Sequence, residues 1–168
     1  MQSHNPWALV GAFSLAAACA AQPRATAQAA DVERLQCDSS STTRDDVVRS
    51  LKVLRVDPIY TSVDSVGSTD QRVDGAKMVV RPPEGVSVEQ MTRVLQCHDA
   101  RMVLGHINAV ANDPYWLPDT WVNIDVKPEQ GNYAIILSAD TVRSNLQVYG
   151  RANHFADEHM VTTDPGLP

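Results

Sequence analysis

The sequence predicts an α+β protein built as a two-layer sandwich, with a small antiparallel or mixed sheet and helices on one face. From residue 76 onward, the hydrophobic patterns read as strand, helix, strand, strand and helix, and a strand-like segment precedes them. Proline, glycine and asparagine separate these segments. The ferredoxin-like fold is one arrangement that fits this order. The chain has 168 residues, of which 43% are hydrophobic and 20% charged, as expected for one globular domain.

The sequence indicates some of these helices and strands more clearly than others. The clearest is a helix that starts at Ser87, where Gln90 completes a capping box, and continues to about Gly105. A hairpin turning at Gly131 follows, and Ser138 or Asp140 is expected to cap a last helix. The remaining predictions are a short helix before residue 53, strands over residues 53–63 and 76–82, and a polar loop over residues 64–75.

We expect four regions along the chain. Residues 1–30 read as a signal peptide or a lipoprotein signal with its tether, and residues 31–45 as a flexible linker. A single α+β domain is predicted over residues 46–158, followed by a disordered C-terminal segment over residues 159–168.

The sequence of residues 1–30 predicts that the protein is exported. Residues 7–20 (WALVGAFSLAAACA) are apolar and uncharged, but shorter than the roughly 20 residues that span a bilayer. Small residues follow, so a signal peptidase could cut after Ala20, Ala27 or Ala30. The expected location is the periplasm or outer membrane of a Gram-negative bacterium. The alternative is an apolar N-terminal helix retained in a cytosolic protein.

The segment LAAAC (residues 15–19) resembles the lipobox of bacterial lipoproteins. That resemblance implies acylation of Cys19 and a membrane anchor, although Leu15 lies one position further from the cysteine than in the usual motif. Lipidation and ordinary secretion both remain open.

The cysteine count suggests a disulfide. Of the three cysteines, Cys19 is either lipidated or removed with the leader, which leaves Cys37 and Cys97 as an even pair. Their bond would close a loop of about 60 residues and stabilise the fold by roughly 4 kcal/mol. The alternative for Cys97 is an inert buried thiol.

The stretch VLQCHDARMVLGH (residues 94–106) carries the candidate chemistry. On a helix His98 lies within an apolar stripe with Met91, Val94, Leu95 and Met102, which favours a buried histidine donating to a backbone carbonyl. The alternative is a copper or zinc site formed by His98 and Met102 with His106 or His154, because soft copper accepts such ligands. A catalytic pair of Cys97 and His98 is less favoured, since neighbouring helical side chains diverge.

The loop NDPYWLPDT and the residue after it concentrate three of the nine aromatic residues, Tyr115, Trp116 and Trp121. Flat rings give a large contact area at low entropic cost, so these residues are the predicted surface for a ligand or partner. The alternative is that a tryptophan closes the end of the sheet.

The charge distribution argues against nucleic acid as a partner. The formal charge is −6, and Lys and Arg are scattered singly rather than clustered. No phosphate-binding glycine loop, His-Glu-x-x-His or Gly-x-Ser-x-Gly motif occurs. We therefore expect a protein that is not an enzyme and has no cofactor. Because the chain is predicted to be exported, the expected partner is an unidentified envelope protein or cell-wall component.

Residues 75–106 (GAKMVVRPPEGVSVEQMTRVLQCHDARMVLGH) resemble a group of uncharacterised secreted bacterial proteins, many of them apparent lipoproteins. The shared features are a Gly-Ala strand, a Pro-Gly turn into a helix, Cys-His-x-Ala-Arg followed by Gly-His, and a hairpin with a final helix containing Arg151–Ala152. The resemblance implies export and this architecture, and no activity. Some relatives would carry a further cysteine after Gly-His, which this chain lacks, and this leaves the partner of Cys97 in doubt.

Overall fold

The computed structural model describes residues 24–37, 42–65, 68–108, 110 and 112–160. Helices and strands follow one another in the order α1, α2, β1, β2, α3, β3, β4 and α4. Their bounds are α1 Arg24–Gln36, α2 Thr42–Arg49, β1 Val53–Ser65, β2 Ser68–Val80, α3 Val88–Val103, β3 Asn123–Glu129, β4 Asn132–Ser138 and α4 Val142–His159.

The four strands form one antiparallel sheet with the spatial order β1-β2-β4-β3. Both β2 and β3 pair antiparallel with β4, so they are parallel to each other and α3 connects them as a split βαβ unit. A ferredoxin-like chain runs βαββαβ. After helices α1 and α2 this chain runs ββαββα, and its outer strand β1 comes from the first hairpin. The predicted α+β sandwich is confirmed.

The core lies between one face of the sheet and helices α3 and α4. Both helices contact strands directly, and their apolar stripes are buried against the inward-facing residues of the sheet. The buried side chains on α3 and α4 include Met91, Val94, Leu95, Val148, Ala152 and Phe155, and those on the strands include Val53, Ala76, Met78, Val80, Ile124, Val126, Ile135 and Leu137.

The opposite face of the sheet carries charged side chains. Lys77 lies 3.2 Å from Glu129 and 3.6 Å from Asp57, and Arg55 pairs with both carboxylates. The hydrogen bond that Asp57 accepts from Arg55 is the main cause that lowers the pKa of Asp57. These ion pairs are partly exposed, so each contributes little to stability.

Helix α3 begins as the sequence predicts. The backbone N–H of Gln90 donates to Ser87 Oγ at 3.3 Å, and the Ser87 N–H donates to Gln90 Oε1 at 2.9 Å, which is a complete capping box. The predicted stripe is buried along its whole length. The helix ends at Val103, and Gly105 takes a φ of 72° just after it.

Helix α1 lies where the sequence analysis expects a leader and a flexible linker. The linker prediction is wrong for residues 31–36 and 42–45, which are helical. Alanine and glutamine favour helix, and Ala25 and Ala29 are spaced one turn apart, so α1 presents a narrow face that packs closely against α3. A composition of small residues was therefore compatible with a packed helix as well as with a tether.

The β1–β2 hairpin is longer than predicted, because the expected polar loop over residues 64–75 is largely strand. Strand β2 pairs with β4 only over residues 76–80, so the rest of the hairpin projects beyond the sheet as a two-stranded arm. A register shift near Ile59 marks the base of this arm. Gly75 lies there with a φ of 151°, and a Cβ on it would lie 2.2 Å from the Leu137 carbonyl oxygen.

The last helix is capped by Thr141, so the prediction of Ser138 or Asp140 is wrong. The backbone N–H of Ser144 donates to Thr141 Oγ1 at 3.1 Å. His159 ends the helix, and Met160 forms a parallel bridge with Val53. The expected disordered segment therefore does not include residues 159 and 160, and residues 161–168 lie outside the described part of the chain.

Both edge strands contain a proline. Pro58 lies in β1 opposite Ala76, and Pro128 lies in β3 opposite Tyr133. Proline has no N–H for a sheet ladder and is confined to edge strands and bulges. Among the helices of the described residues, none is long and apolar enough to cross a membrane.

Candidate functional site

The centre of the candidate site is a buried pair between α3 and the loop that follows it. His98 Nε2 donates to Asp113 Oδ2 at 2.7 Å, and both side chains are about nine-tenths buried. Because the carboxylate accepts, Nε2 carries a proton. The predicted buried histidine is confirmed, and the carboxylate of Asp113 is one of its partners.

Asp113 also holds the backbone of its own loop. Its Oδ1 accepts from the Tyr115 N–H at 2.8 Å. Arg151 on α4 donates to the carbonyl oxygens of Asp113 at 3.4 Å and Trp116 at 2.6 Å. The Arg151 guanidinium carbon lies 5.4 Å from the centroid of the Trp116 ring. These contacts fasten the aromatic loop between α3 and α4.

A row of rings continues from His98 through the core to the end of α4. Tyr115 meets His98 and Phe155 edge to face, with centroids 6.2 and 5.9 Å apart. Phe155 then stacks on His159 at 3.9 Å. The His159 Nδ1 donates to the Phe155 carbonyl oxygen at 2.8 Å, which fixes the orientation of that ring.

The prediction that Tyr115 belongs to a ligand surface is wrong, because its side chain is completely buried in the core. The hydrogen bond from the Tyr115 N–H to Asp113 Oδ1 fixes the backbone at this residue. Trp116 and Trp121 are half-buried. The aromatic loop is thus mainly a structural connection, with two tryptophans at its surface.

Two polar groups beside the pair are buried with no hydrogen-bond partner among the described residues: the carboxyl of Asp99 and the hydroxyl of Tyr115. Burial, reinforced by the charge of Asp113, raises the pKa of both groups well above their ordinary values. The backbone of Val122 offsets this for Asp99 only in part, since its geometry falls short of a hydrogen bond. Burial therefore disfavours the ionised form of the Asp99 carboxyl.

A cavity of about 540 Å³ opens beside the pair, between α2, the end of α4 and the loop after α3. This volume is within the range of small-molecule sites. Its walls combine apolar and polar side chains: His98 and Asp113 lie in its wall with Val48, Ile107, Val110 and Phe155. Such a mixture can hold an apolar body and orient it through a few polar groups.

The residues of the predicted metal site are not brought together as a set. His98 pairs with Asp113, and the His106 Nδ1 donates to Glu33 Oε1 on α1 at 2.8 Å. Met102 is buried on α3, whereas His154 is exposed on α4. Within the described ranges, no group of three or more His, Cys, Asp or Glu side chains is placed to hold a metal ion.

The predicted disulfide between Cys37 and Cys97 is confirmed. It joins the end of α1 to α3, with Cα atoms 5.6 Å apart. With its sulfur bonded, Cys97 is not available as a nucleophile to the neighbouring His98. Cys19, the predicted lipidation site, lies outside the described residues.

From the sequence, no role was predicted for Asp113, Asp99 or Arg151, although Arg151 belongs to the Arg151–Ala152 pair of the family resemblance. Asp99 has a weak signal, because it follows His98 on the helix and a charged residue beside an apolar stripe needs a partner. Asp113 and Arg151 gave no such signal. Their roles depend on how the loop folds back onto α3 and α4, which spacing along the chain does not reveal.

No protein-family model, curated protein or solved structure matches this chain.

Proposed function

We propose that the chain is an exported, non-enzymatic protein of the Gram-negative cell envelope, and that it works as a binding module. The cavity beside His98 and Asp113 is its ligand site. Its unidentified partner is an envelope protein or a cell-wall component that presents a small apolar group to this cavity. A lipid on Cys19 would anchor the protein to the membrane, and nucleic acid is not a partner.

The observation that carries this proposal is the construction of the cavity wall. Two of its polar groups, His98 and Asp113, are held in place by their 2.7 Å hydrogen bond, while Arg151 and the Tyr115 N–H fix the backbone on either side. Polar groups fixed before binding lose little entropy when a ligand arrives. Apolar Val48, Ile107 and Val110 then supply the contact area.

Export is supported by the uncharged apolar segment over residues 7–20 and by the lipobox-like LAAAC. The Cys37–Cys97 bond is compatible with an oxidising compartment. The proposed location is the periplasm or the periplasmic side of the outer membrane.

Binding can be tested with 1-anilinonaphthalene-8-sulfonate, a probe with an apolar aromatic body. We expect one probe molecule per chain, with the near-UV circular dichroism unchanged. Val110→Trp should fill the cavity and weaken binding at least tenfold, because Val110 lies in its wall. Val110 is 58% exposed, so the larger side chain can be accommodated without disturbing the core. The matched control is Val142→Trp on α4, where the valine is 39% exposed and outside the cavity.

Equal binding by the two valine variants would show that the cavity is not the site. Trp116→Ala and Trp121→Ala test the aromatic loop separately. Loss of binding in either tryptophan variant, with Val110→Trp unaffected, would move the site to the loop surface.

A further inference from the structure

Helix α1 is fastened to the rest of the molecule at several points along its length. At its start, Arg24 Nη1 lies 3.6 Å from Asp140 Oδ2, just before α4. Further along, Glu33 accepts from His106, and the disulfide of Cys37 follows the last turn. On the face towards α3, Ala25 and Ala29 are 5% and 0% exposed.

The three candidate signal-peptidase junctions affect this helix differently. Cutting after Ala27 would remove its first four residues, including Ala25. Cutting after Ala30 would remove Ala25 and Ala29 and leave only six helical residues before Cys37. Fewer than two turns do not hold a helix without tertiary packing, and this packing face would be gone. A junction upstream of Arg24 leaves all thirteen residues of α1 in place.

We propose that the mature chain begins upstream of Arg24, at Cys19 or Ala21, and keeps α1 as part of the folded domain. This inference rests on the proposed export. In one case water hydrolyses the peptide bond after Ala20. In the other, the Cys19 thiol displaces the headgroup of a glycerophospholipid, its proton leaves with that headgroup, and water then hydrolyses the bond after Ala18.

The consequence for a lipidated form is a short connection to the membrane. Only residues 20–23 separate Cys19 from α1, so Cys19 and Arg24 are at most about 18 Å apart. The start of α1 and its neighbour Asp140 would then lie close to the lipid headgroups. A domain held in this way meets partners at the membrane surface rather than deep in the periplasm.

The first test is the intact mass of the full chain after expression and fractionation in a Gram-negative host. A mass starting at Ala21, or at an acylated Cys19 that Cys19→Ser abolishes, supports the inference. An exported chain starting at Gln28 or Asp31 overturns it and leaves the proposed export intact. An uncleaved cytosolic chain overturns both.

A pair of alanine variants tests whether α1 belongs to the domain. Ala29→Glu places a charge on the buried face and should expose α1 to trypsin at Arg34, with at least a tenfold faster cut. Ala27→Glu, two residues earlier on the exposed side, should leave the rate unchanged. Equal resistance in both variants would mean that α1 is not packed as part of the domain.

Discussion

At the scale of single residues, Asp99 is a side chain whose burial in the core costs free energy. Its carboxyl is fully buried, makes no hydrogen bond with the described residues, and lies near the negative charge of Asp113. Burial of an unpaired polar group costs about 1–3 kcal/mol. Asp99 therefore lowers the stability of the domain, and lowers it further when its carboxyl is ionised.

The raised pKa of Asp99 predicts how stability depends on pH. The unfolded chain loses this proton near pH 3.9, while the folded chain keeps it. The contribution of Asp99 to the free energy of unfolding is thus fully present below about pH 3.9 and is lost as pH rises through the folded pKa. We expect a decline of up to about 1.4 kcal/mol per pH unit in that window.

Urea unfolding at a series of pH values measures this decline, and Asp99→Asn should remove it because the amide does not titrate. Asp125→Asn, at an exposed position on β3, is the matched control and should keep the wild-type slope. Identical slopes in the wild type and Asp99→Asn would contradict the prediction.

Two variants of Tyr115 distinguish the contribution of its ring to the free energy of unfolding from that of its hydroxyl. The ring is completely buried between His98 and Phe155, whereas the hydroxyl has no partner among the described residues. We expect Tyr115→Phe to be neutral or to raise the free energy of unfolding by about 1 kcal/mol. Tyr115→Ala should lower it by about 3–5 kcal/mol, because it leaves a cavity.

Denaturant unfolding of both Tyr115 variants supplies the two values. A loss above about 2 kcal/mol in Tyr115→Phe would contradict this prediction and reveal a hydrogen bond to the hydroxyl.

At the scale of secondary-structure elements, the disulfide joins the end of α1 to α3 covalently. It closes a loop with a sequence separation of 60 and so restricts the unfolded chain. We expect Cys37→Ser to lower the free energy of unfolding by about 4 kcal/mol. Wild-type protein in a reducing agent should lose a similar amount, and the variant should show no further loss there. An unchanged denaturation midpoint would mean that the bond contributes nothing to stability.

The elements also show which local signals are sufficient for prediction. The α3 start was predictable because Ser87 and Gln90 contact each other within one turn. The β3–β4 hairpin was predictable because Gly131 takes a positive φ that glycine favours, beside Gln130 at 52°. Helix α1 was missed because its packing face consists of alanines, whose burial depends on α3 rather than on any local pattern.

At the scale of the whole molecule, the candidate site was only partly predictable. The stripe on α3 correctly placed His98 in the interior. Its partner, fifteen residues further along, depends on a loop held by Arg151 from the far end of the chain. The cavity likewise combines residues from α2, the loop after α3 and α4. Residues so far apart in the chain form no short motif from which the cavity could be predicted.

The whole sheet has two edges, and the two strand prolines lie on them. Unpaired edges favour pairing with other chains, and proline blocks that pairing by removing a donor. We expect the wild type to remain monomeric. The double variant Pro58→Thr/Pro128→Thr should associate through its edges with increasing concentration, because threonine restores an N–H and favours strands.

Light scattering after size exclusion, at concentrations from about 0.01 to 1 mM, follows this association. Pro82→Thr is the matched control, because Pro82 is exposed and lies outside the strands. It should behave as the wild type does. The wild type and the double variant differ only in two edge positions, so a shift confined to the double variant assigns the association to the sheet edges. A double variant that stays monomeric would show that other features of this molecule, such as its net charge of −6, already prevent edge pairing.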